Sequence, residues 1–238
     1  MPFGFFEEGG AELPHAPIPL EIQLIAEDAI RLAWQRLRSR VPAKHDVATA
    51  EEDELTHDLY EILFDEVFAQ GLVEGFDRER FTVVTREKKV RNYDGTMLDK
   101  MPDLHISLAA RESVFMQSQD GLFVECKPVD ENHTVGLHYG SKGIARFLRG
   151  EYAWAMPEAL MIGYTSPGYA LDPKLLETLR DRATDFAVLA APVACSRSLR
   201  TTFSPAVHIS RHRRNFNYVE TGLAAPPIQL RHLWLDRS

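Results

Sequence analysis

The stretch "GLFVECKPVD", Gly121 to Asp130, decides how this chain is expected to fold. Three apolar residues are followed at once by a carboxylate, a thiol and an amine, and then by a proline. Successive side chains of a β-strand point to opposite faces, so Glu125 and Lys127 should share a face while Cys126 points the other way. Pro128 has no N–H to donate, and we expect strand pairing to end there. The stretch therefore predicts a strand that ends in an adjacent acid and base.

The segments on either side of this strand predict a mixed α/β domain. An apolar stripe at helical spacing predicts a helix over 49–70, and β-rich sequence predicts strands over 81–90 and 103–108. Helical periodicity returns over 141–154, and a short apolar run at 159–164 predicts a buried strand. The predicted order is helix, three strands, helix, strand.

We expect residues 1–45 to form an N-terminal arm and an amphipathic helix, and residues 46–238 to form the main domain. An extension of that domain should begin at about 170. It opens with a helix, for which Asp172-Pro173 supplies a cap and a first-turn proline. β-strands are then predicted at 188–193, 205–209 and 228–235.

The composition is that of an ordinary globular domain. Of 238 residues, 45% are hydrophobic, and no apolar run approaches the ~18 residues that a membrane span needs. The first residues lack the basic head and apolar segment of a secretory signal. The two cysteines, Cys126 and Cys195, lie in unlike settings, which favours a reducing compartment over a disulfide scaffold. We therefore expect a cytoplasmic protein with no membrane partner.

The charge is unevenly distributed along the chain. A formal net charge of −8 argues against a surface made for non-specific DNA binding. Residues 1–75 carry 16 acidic and 5 basic side chains, whereas residues 196–238 carry 2 acidic side chains and 7 arginines. The basic end is consistent with a local groove for a polyanion, and equally with chance clustering of surface charge.

Acidic residues stand at the ends of two predicted strands. Pro102-Asp103 opens the second strand, and Glu125 closes the third. If these strands are antiparallel neighbours, both carboxylates lie at one edge of the sheet with Lys127 beside them. Two adjacent carboxylates repel, and one would take up a proton unless a cation neutralised them. Mg²⁺ is a natural choice, because it prefers such oxygen ligands. A bound Mg²⁺ and a nearby ammonium suit phosphodiester hydrolysis, because both stabilise negative charge on a phosphate.

This pattern resembles the PD-(D/E)XK nuclease superfamily, which includes restriction endonucleases and nucleases of bacterial phage defence. The matching positions are Pro102-Asp103 and, 22 residues after the aspartate, Glu125-Cys126-Lys127. The resemblance implies a restriction-endonuclease-like αβββαβ core with a mixed sheet flanked by helices, over about 49–165. It implies Mg²⁺, with Mn²⁺ as a substitute, held by Asp103, Glu125 and the backbone carbonyl of Cys126. It also implies that Lys127 acts at the attacking water.

Other motif matches in the chain fit less well. Glu87-Lys88-Lys89 has the acid-x-lysine spacing but precedes Pro102-Asp103, and Asp172-Pro173-Lys174 opens a helix. An ordinary ion pair between Glu125 and Lys127 at an exposed strand end is the structural alternative.

Glu52 is a candidate third carboxylate. At about 100° per residue, it points along the apolar stripe of its predicted helix, where an acid needs a partner. One explanation is a capping box with Thr49, three residues earlier. The other is a side chain directed at the metal.

Two basic clusters are candidates for binding nucleic acid. On the helix after the third strand, Lys142, Arg146 and Arg149 are spaced to share a face. The run "SRHRR" at 210–214 adds a second cluster, consisting of Arg211, Arg213 and Arg214. Contacts to phosphate would position a nucleic acid without reading its sequence. A solvated helix face and a surface loop are the corresponding structural alternatives.

We therefore expect a Mg²⁺-dependent deoxyribonuclease, with RNA as the alternative substrate. A non-catalytic nucleic-acid or protein adaptor with the same fold is the competing hypothesis. Because the sequence contains no evident separate module for DNA reading, self-association or a protein partner is expected to supply target choice.

Overall fold

The computed structural model describes residues 13–40, 44–109, 111, 114, 116–195 and 207–238. Its centre is one seven-stranded sheet. The strands are β1 (Phe81–Arg86), β2 (Leu104–Leu108), β3 (Leu122–Val129), β4 (Glu158–Thr165), β5 (Val188–Cys195), β6 (Val207–His212) and β7 (Ile228–Asp236). They lie in the order β1-β2-β3-β4-β7-β6-β5. β3, β4 and β7 are parallel, while the other neighbouring pairs are antiparallel.

Four α-helices in the described part of the chain accompany the sheet. They are α1 (Leu20–Ser39), α2 (Glu52–Glu61), α3 (Ala145–Leu148) and α4 (Leu171–Asp181). A π-helical segment, Ile62–Phe68, continues α2, and a second one, Val135–Ile144, leads into α3. A short 3₁₀ turn, Gln117–Gln119, precedes β3. The mixed α/β class predicted from the sequence is confirmed.

The central strands are buried on both faces. Every residue of β3 and of β4 is buried, as their near-continuous apolar sequences predict for strands covered on both sides. Helix α1 belongs to the same hydrophobic core, with Ala29, Ile30 and Ala33 fully buried. The ring of Trp34 stacks on Tyr164 of β4 with centroids 5.4 Å apart. The helix predicted as an N-terminal extension is therefore part of the core.

Strand β3 does not end at Pro128, so that expectation is wrong. Pro128 pairs with Tyr164 and Val129 with Thr165 in the parallel ladder with β4. The N–H of Cys126 points toward the β2 side, where it bonds the Asp103 carboxylate. Backbone groups two residues apart point to the same side of a strand, so the nitrogen of Pro128 faces beyond the start of β2. No ladder bond is lost there, because no described strand lies on that side.

Another expectation from the sequence is changed by the structure. Strand β6 runs to His212, so Arg211 lies within a strand and not in a surface loop. Residues 205 and 206 of the predicted strand lie outside the described part of the chain, as does much of the predicted N-terminal arm. Within the described residues, no helix combines the length and apolar character required to cross a bilayer.

Candidate active site

Strand pairing brings Asp103 and Glu125 to the same place. Leu104 of β2 pairs with Val124 of β3 in antiparallel register, so the residue before Leu104 lies across from the residue after Val124. The Asp103 carboxylate accepts a hydrogen bond of 2.6 Å from the Cys126 N–H. A charged acceptor makes such a bond stronger than a neutral pair. The two acids are thus fixed by backbone geometry at one edge of the sheet.

The amine of Lys127 lies among the oxygen atoms proposed as metal ligands. Its Nζ is 3.0 Å from Glu125 Oε1 and 3.4 Å from Asp103 Oδ2. The same nitrogen donates to the Cys126 carbonyl at 2.6 Å and to Glu52 Oε1 at 2.5 Å. Four oxygens from four residues therefore surround one ammonium.

Glu52 joins this cluster from the first residue of α2. The predicted capping box with Thr49 is wrong, because the box is formed two residues later, by Glu51 and Glu54. Thr49 instead donates its hydroxyl to Asp46. The Glu52 side chain is consequently free of a capping role and reaches Lys127.

Glu125 is held in a dry environment by groups from the following helix and loop. It has no solvent exposure, and it accepts a hydrogen bond from the Tyr152 hydroxyl. Arg146 Nη1 lies 3.1 Å from its Oε1. Burial, and next the repulsion from Asp103, raise the pKa of Glu125 to about 8, although Lys127, Arg146 and Tyr152 act in the opposite direction. No sequence pattern indicated Tyr152, which lies in an irregular segment after α3.

The same surroundings shift the pKa values of Lys127 and Glu52. Burial alone would lower the pKa of Lys127, but attraction to Glu125, Asp103 and Glu52 raises it overall, so the amine is a cation. Burial raises the pKa of Glu52, with Lys127 opposing that effect. The cluster is an ion network in which Lys127 neutralises acids that would otherwise repel one another.

The donor set fits a hard divalent cation in its chemistry. Carboxylates and a backbone carbonyl are the oxygen ligands that Mg²⁺ takes. The buried Oε1 of Glu125 accepts no hydrogen bond among the described residues, although two cationic side chains lie close to it. No group of three or more His, Cys, Asp or Glu side chains in the described ranges is arranged as a metal site. The ammonium of Lys127 lies between these oxygens instead.

A cleft of about 690 Å³ opens beside the cluster. Acidic residues of the α2 start, Glu51, Glu52 and Asp53, line one part of it, and Lys142 and Arg146 line another. This volume is within the usual range for ligand clefts. A phosphate group entering the cleft would therefore meet the basic side chains together with Glu52 of the carboxylate cluster.

Comparisons with protein-family models, with curated proteins and with solved structures found no match for this chain. Its function is accordingly argued from the geometry of the site.

The remaining predicted nucleic-acid contacts do not converge on the cleft. Arg149 is absent from its described lining and pairs with Glu151. Arg211 and Arg213 are exposed, and Arg211 lines a separate cavity, together with Arg231 of β7.

Arg214 requires a correction. It is only 4% exposed, and its guanidinium donates to the backbone carbonyls of Trp154 and Met156. A guanidinium used in this way holds a loop in place and does not present its charge to a phosphate. Because Arg214 stands in a run of basic residues, the sequence alone suggested that it binds phosphate.

Among the cleft residues that the sequence analysis missed are an aspartate and two histidines. Asp130, His133 and His138 all line the same cleft as Lys127. The available signal was an acid followed three residues later by a histidine, directly after the end of β3.

Proposed function

We propose that this chain is a divalent-metal-dependent nuclease that hydrolyses phosphodiester bonds of DNA. The observation that carries the proposal is the convergence of Glu52, Asp103 and Glu125 with the Cys126 carbonyl around the amine of Lys127. These residues are brought together from the start of α2, the residue before β2 and the middle of β3. Their match to the PD-(D/E)XK pattern supports the same chemistry, with Mg²⁺ as cofactor and Mn²⁺ as substitute.

Each residue has a defined task in this proposal. Asp103, Glu125 and the Cys126 carbonyl would hold the ion, and Glu52 would add a further oxygen. When bound, Mg²⁺ lowers the pKa of a coordinated water and offsets charge on the phosphate. Lys127 remains beside these oxygens, where its ammonium orients the attacking water and stabilises the negative charge of the transition state.

Two basic residues of the cleft would bind the substrate. Lys142 and Arg146 line the cleft together with the acidic start of α2. Their charges would hold backbone phosphates and so place one of them near the carboxylates. Arg146 also neutralises Glu125, which keeps its guanidinium at a fixed distance from the reacting phosphate.

The direct test is cleavage of supercoiled plasmid and of a labelled single-stranded RNA. We expect the wild-type protein to nick the plasmid with Mg²⁺ or Mn²⁺ and to be inactive with EDTA. Asp103→Ala and Lys127→Ala should each lower the rate by at least about 100-fold, because each removes a group that stabilises transition-state charge. Lys89→Ala, outside the cleft, is the matched control. Equal cutting by wild type and both site variants would contradict the assignment.

A non-catalytic adaptor is the second candidate, and one observation favours it. Lys127 and Arg146 already neutralise the acidic cluster without any ion. Calorimetric titration with Mn²⁺ separates the two functions. A nuclease should bind Mn²⁺ and lose that binding in Asp103→Asn, whereas an adaptor would show no binding that depends on Asp103.

A further inference from the structure

A histidine at the mouth of the cleft is held by an aspartate in the loop that joins β3 to the π-helical segment Val135–Ile144. His133 Nδ1 lies 3.0 Å from both carboxylate oxygens of Asp130. Asp130 also accepts hydrogen bonds of 2.8 Å from the backbone N–H groups of Asn132 and His133. One carboxylate therefore fixes both the loop and the imidazole ring.

The Asp130 contact decides which imidazole nitrogen faces outward. An acceptor at Nδ1 keeps a proton on that nitrogen and leaves Nε2 for other partners. Nε2 of His133 has no hydrogen-bond partner among the described residues, and the side chain is 42% exposed. Burial alone would raise the pKa of Asp130, but its hydrogen bonds from His133 lower it, so the carboxylate stays ionised beside the imidazole ring.

His133 lies among the groups that serve the proposed reaction. It lines the same cleft as Glu52, Lys127 and Arg146. The ring of His138 packs against it edge to face, with centroids 4.9 Å apart. The loop that carries His133 begins directly after β3, the strand that supplies Glu125 and Lys127. The cleft is thus lined both by Glu52 of the carboxylate cluster and by an imidazole that can donate a proton.

We propose that His133, positioned by Asp130, is the general acid that protonates the leaving oxygen during phosphodiester hydrolysis. This role rests on the proposed nuclease function. A leaving alkoxide of DNA is a strong base, so its departure gains from a proton in the transition state. None of the carboxylates around Lys127 suits that task, because they are assigned to holding a cation.

Protons and electrons balance in this hydrolysis step. The attacking water releases one proton to solvent, and its oxygen forms the new bond to phosphorus. The bond between phosphorus and the leaving oxygen breaks, and its electron pair stays on that oxygen. The same oxygen takes the Nε2 proton of the His133 imidazolium, which then regains a proton from solvent.

The test compares two substrates that differ in their need for a proton. One is a DNA oligonucleotide, and the other is the p-nitrophenyl phosphodiester of thymidine, whose nitrophenolate leaves without protonation. We expect His133→Ala to slow DNA cleavage by about 100-fold and to leave hydrolysis of the nitrophenyl ester within about threefold of wild type. Asp130→Asn should show the same selectivity to a smaller degree. His57→Ala, an exposed histidine of α2 outside the cleft lining, is the control and should change neither rate.

Two further results would overturn this role in distinguishable ways. If the wild-type protein hydrolyses both substrates and His133→Ala slows them equally, or slows neither, the general acid role fails while the nuclease function stands. If wild-type protein hydrolyses neither substrate with Mg²⁺ or Mn²⁺, the nuclease function fails and this role with it.

Added imidazole should restore DNA cleavage to His133→Ala but not to Lys127→Ala. A purely structural role of His133 would not give this rescue.

Discussion

The Nζ of Lys127 lies 3.0 Å from the Oε1 of Glu125, two positions earlier on the same strand. The same ammonium contacts the Cys126 carbonyl, Asp103 and Glu52. A monovalent organic cation therefore stands where the proposed divalent ion would find its oxygen ligands. Lysine and metal should compete for these oxygens, since both are attracted by the same negative charge.

Lys127→Met is expected to strengthen binding of Mn²⁺ by at least about tenfold, or ~1.4 kcal/mol, while abolishing cleavage. Removing the ammonium leaves three acids without their internal cation, so a divalent ion gains from neutralising them. Isothermal calorimetry measures the affinity, and thermal unfolding should show a larger Mn²⁺-dependent rise in Tm than wild type. Lys142→Met, in the same cleft, is the control. Weaker Mn²⁺ binding in Lys127→Met would refute the competition.

Lys142→Ala should weaken DNA binding and reduce its dependence on salt, whereas Arg149→Ala should not. Of these two residues, only Lys142 lines the cleft, whereas Arg149 is paired with Glu151. Each lost phosphate contact lowers the slope of log affinity against log salt by about 1. Fluorescence anisotropy with a labelled duplex in Ca²⁺, at several salt concentrations, measures both quantities. The opposite ranking of the two variants would show that DNA lies elsewhere.

Glu158 should make the protein less stable as pH rises. Burial raises its pKa from 4.5 to about 7, and its carboxylate accepts the Ile18 N–H. Since the folded pKa exceeds the unfolded one, the contribution to stability is complete below about pH 4.5 and is lost as pH rises toward 7. The loss is on the order of 3 kcal/mol at most.

Glu158→Gln keeps an acceptor for the Ile18 N–H and removes the titration. Urea unfolding of both proteins at pH 5 and pH 8 should therefore show a smaller drop in the free energy of unfolding for the variant. Glu125 contributes its own pH dependence to both proteins, so only the difference between them is diagnostic. Identical pH dependence in the two proteins would contradict this assignment to Glu158.

Arg214→Ala should lower the free energy of unfolding by about 3 kcal/mol, because it removes charged donors from the buried carbonyls of Trp154 and Met156 and leaves only the Tyr218 hydroxyl at Trp154. Arg213→Ala, its exposed neighbour, should change stability by less than about 0.5 kcal/mol. Chemical denaturation measures both. A DNA-binding defect in folded Arg214→Ala, with unchanged stability, would restore the phosphate-binding interpretation.

Local periodicity accounts for what could be predicted. Alternation along β3 placed Glu125 and Lys127 on one face, and the apolar stripe of the helix pointed Glu52 toward the core. Both patterns follow from the fixed geometry of strands and helices, which the amino-acid order alone expresses. The order of elements from α2 to β4 followed in the same way.

Contacts between distant segments were decided only by the tertiary structure. No local pattern in the sequence indicates that Tyr152 would donate to Glu125, or that the basic run at 210–214 would divide into exposed Arg213 and buried Arg214. The Asp130–His133 pair is local, but its place in the cleft depends on how α2 packs beside β3. Which residues share a strand or helix face follows from the amino-acid order alone, because it depends on the repeat of the backbone. Packing of the sheet and helices decided which faces meet and which charges lose contact with water, because those depend on segments far apart in the chain.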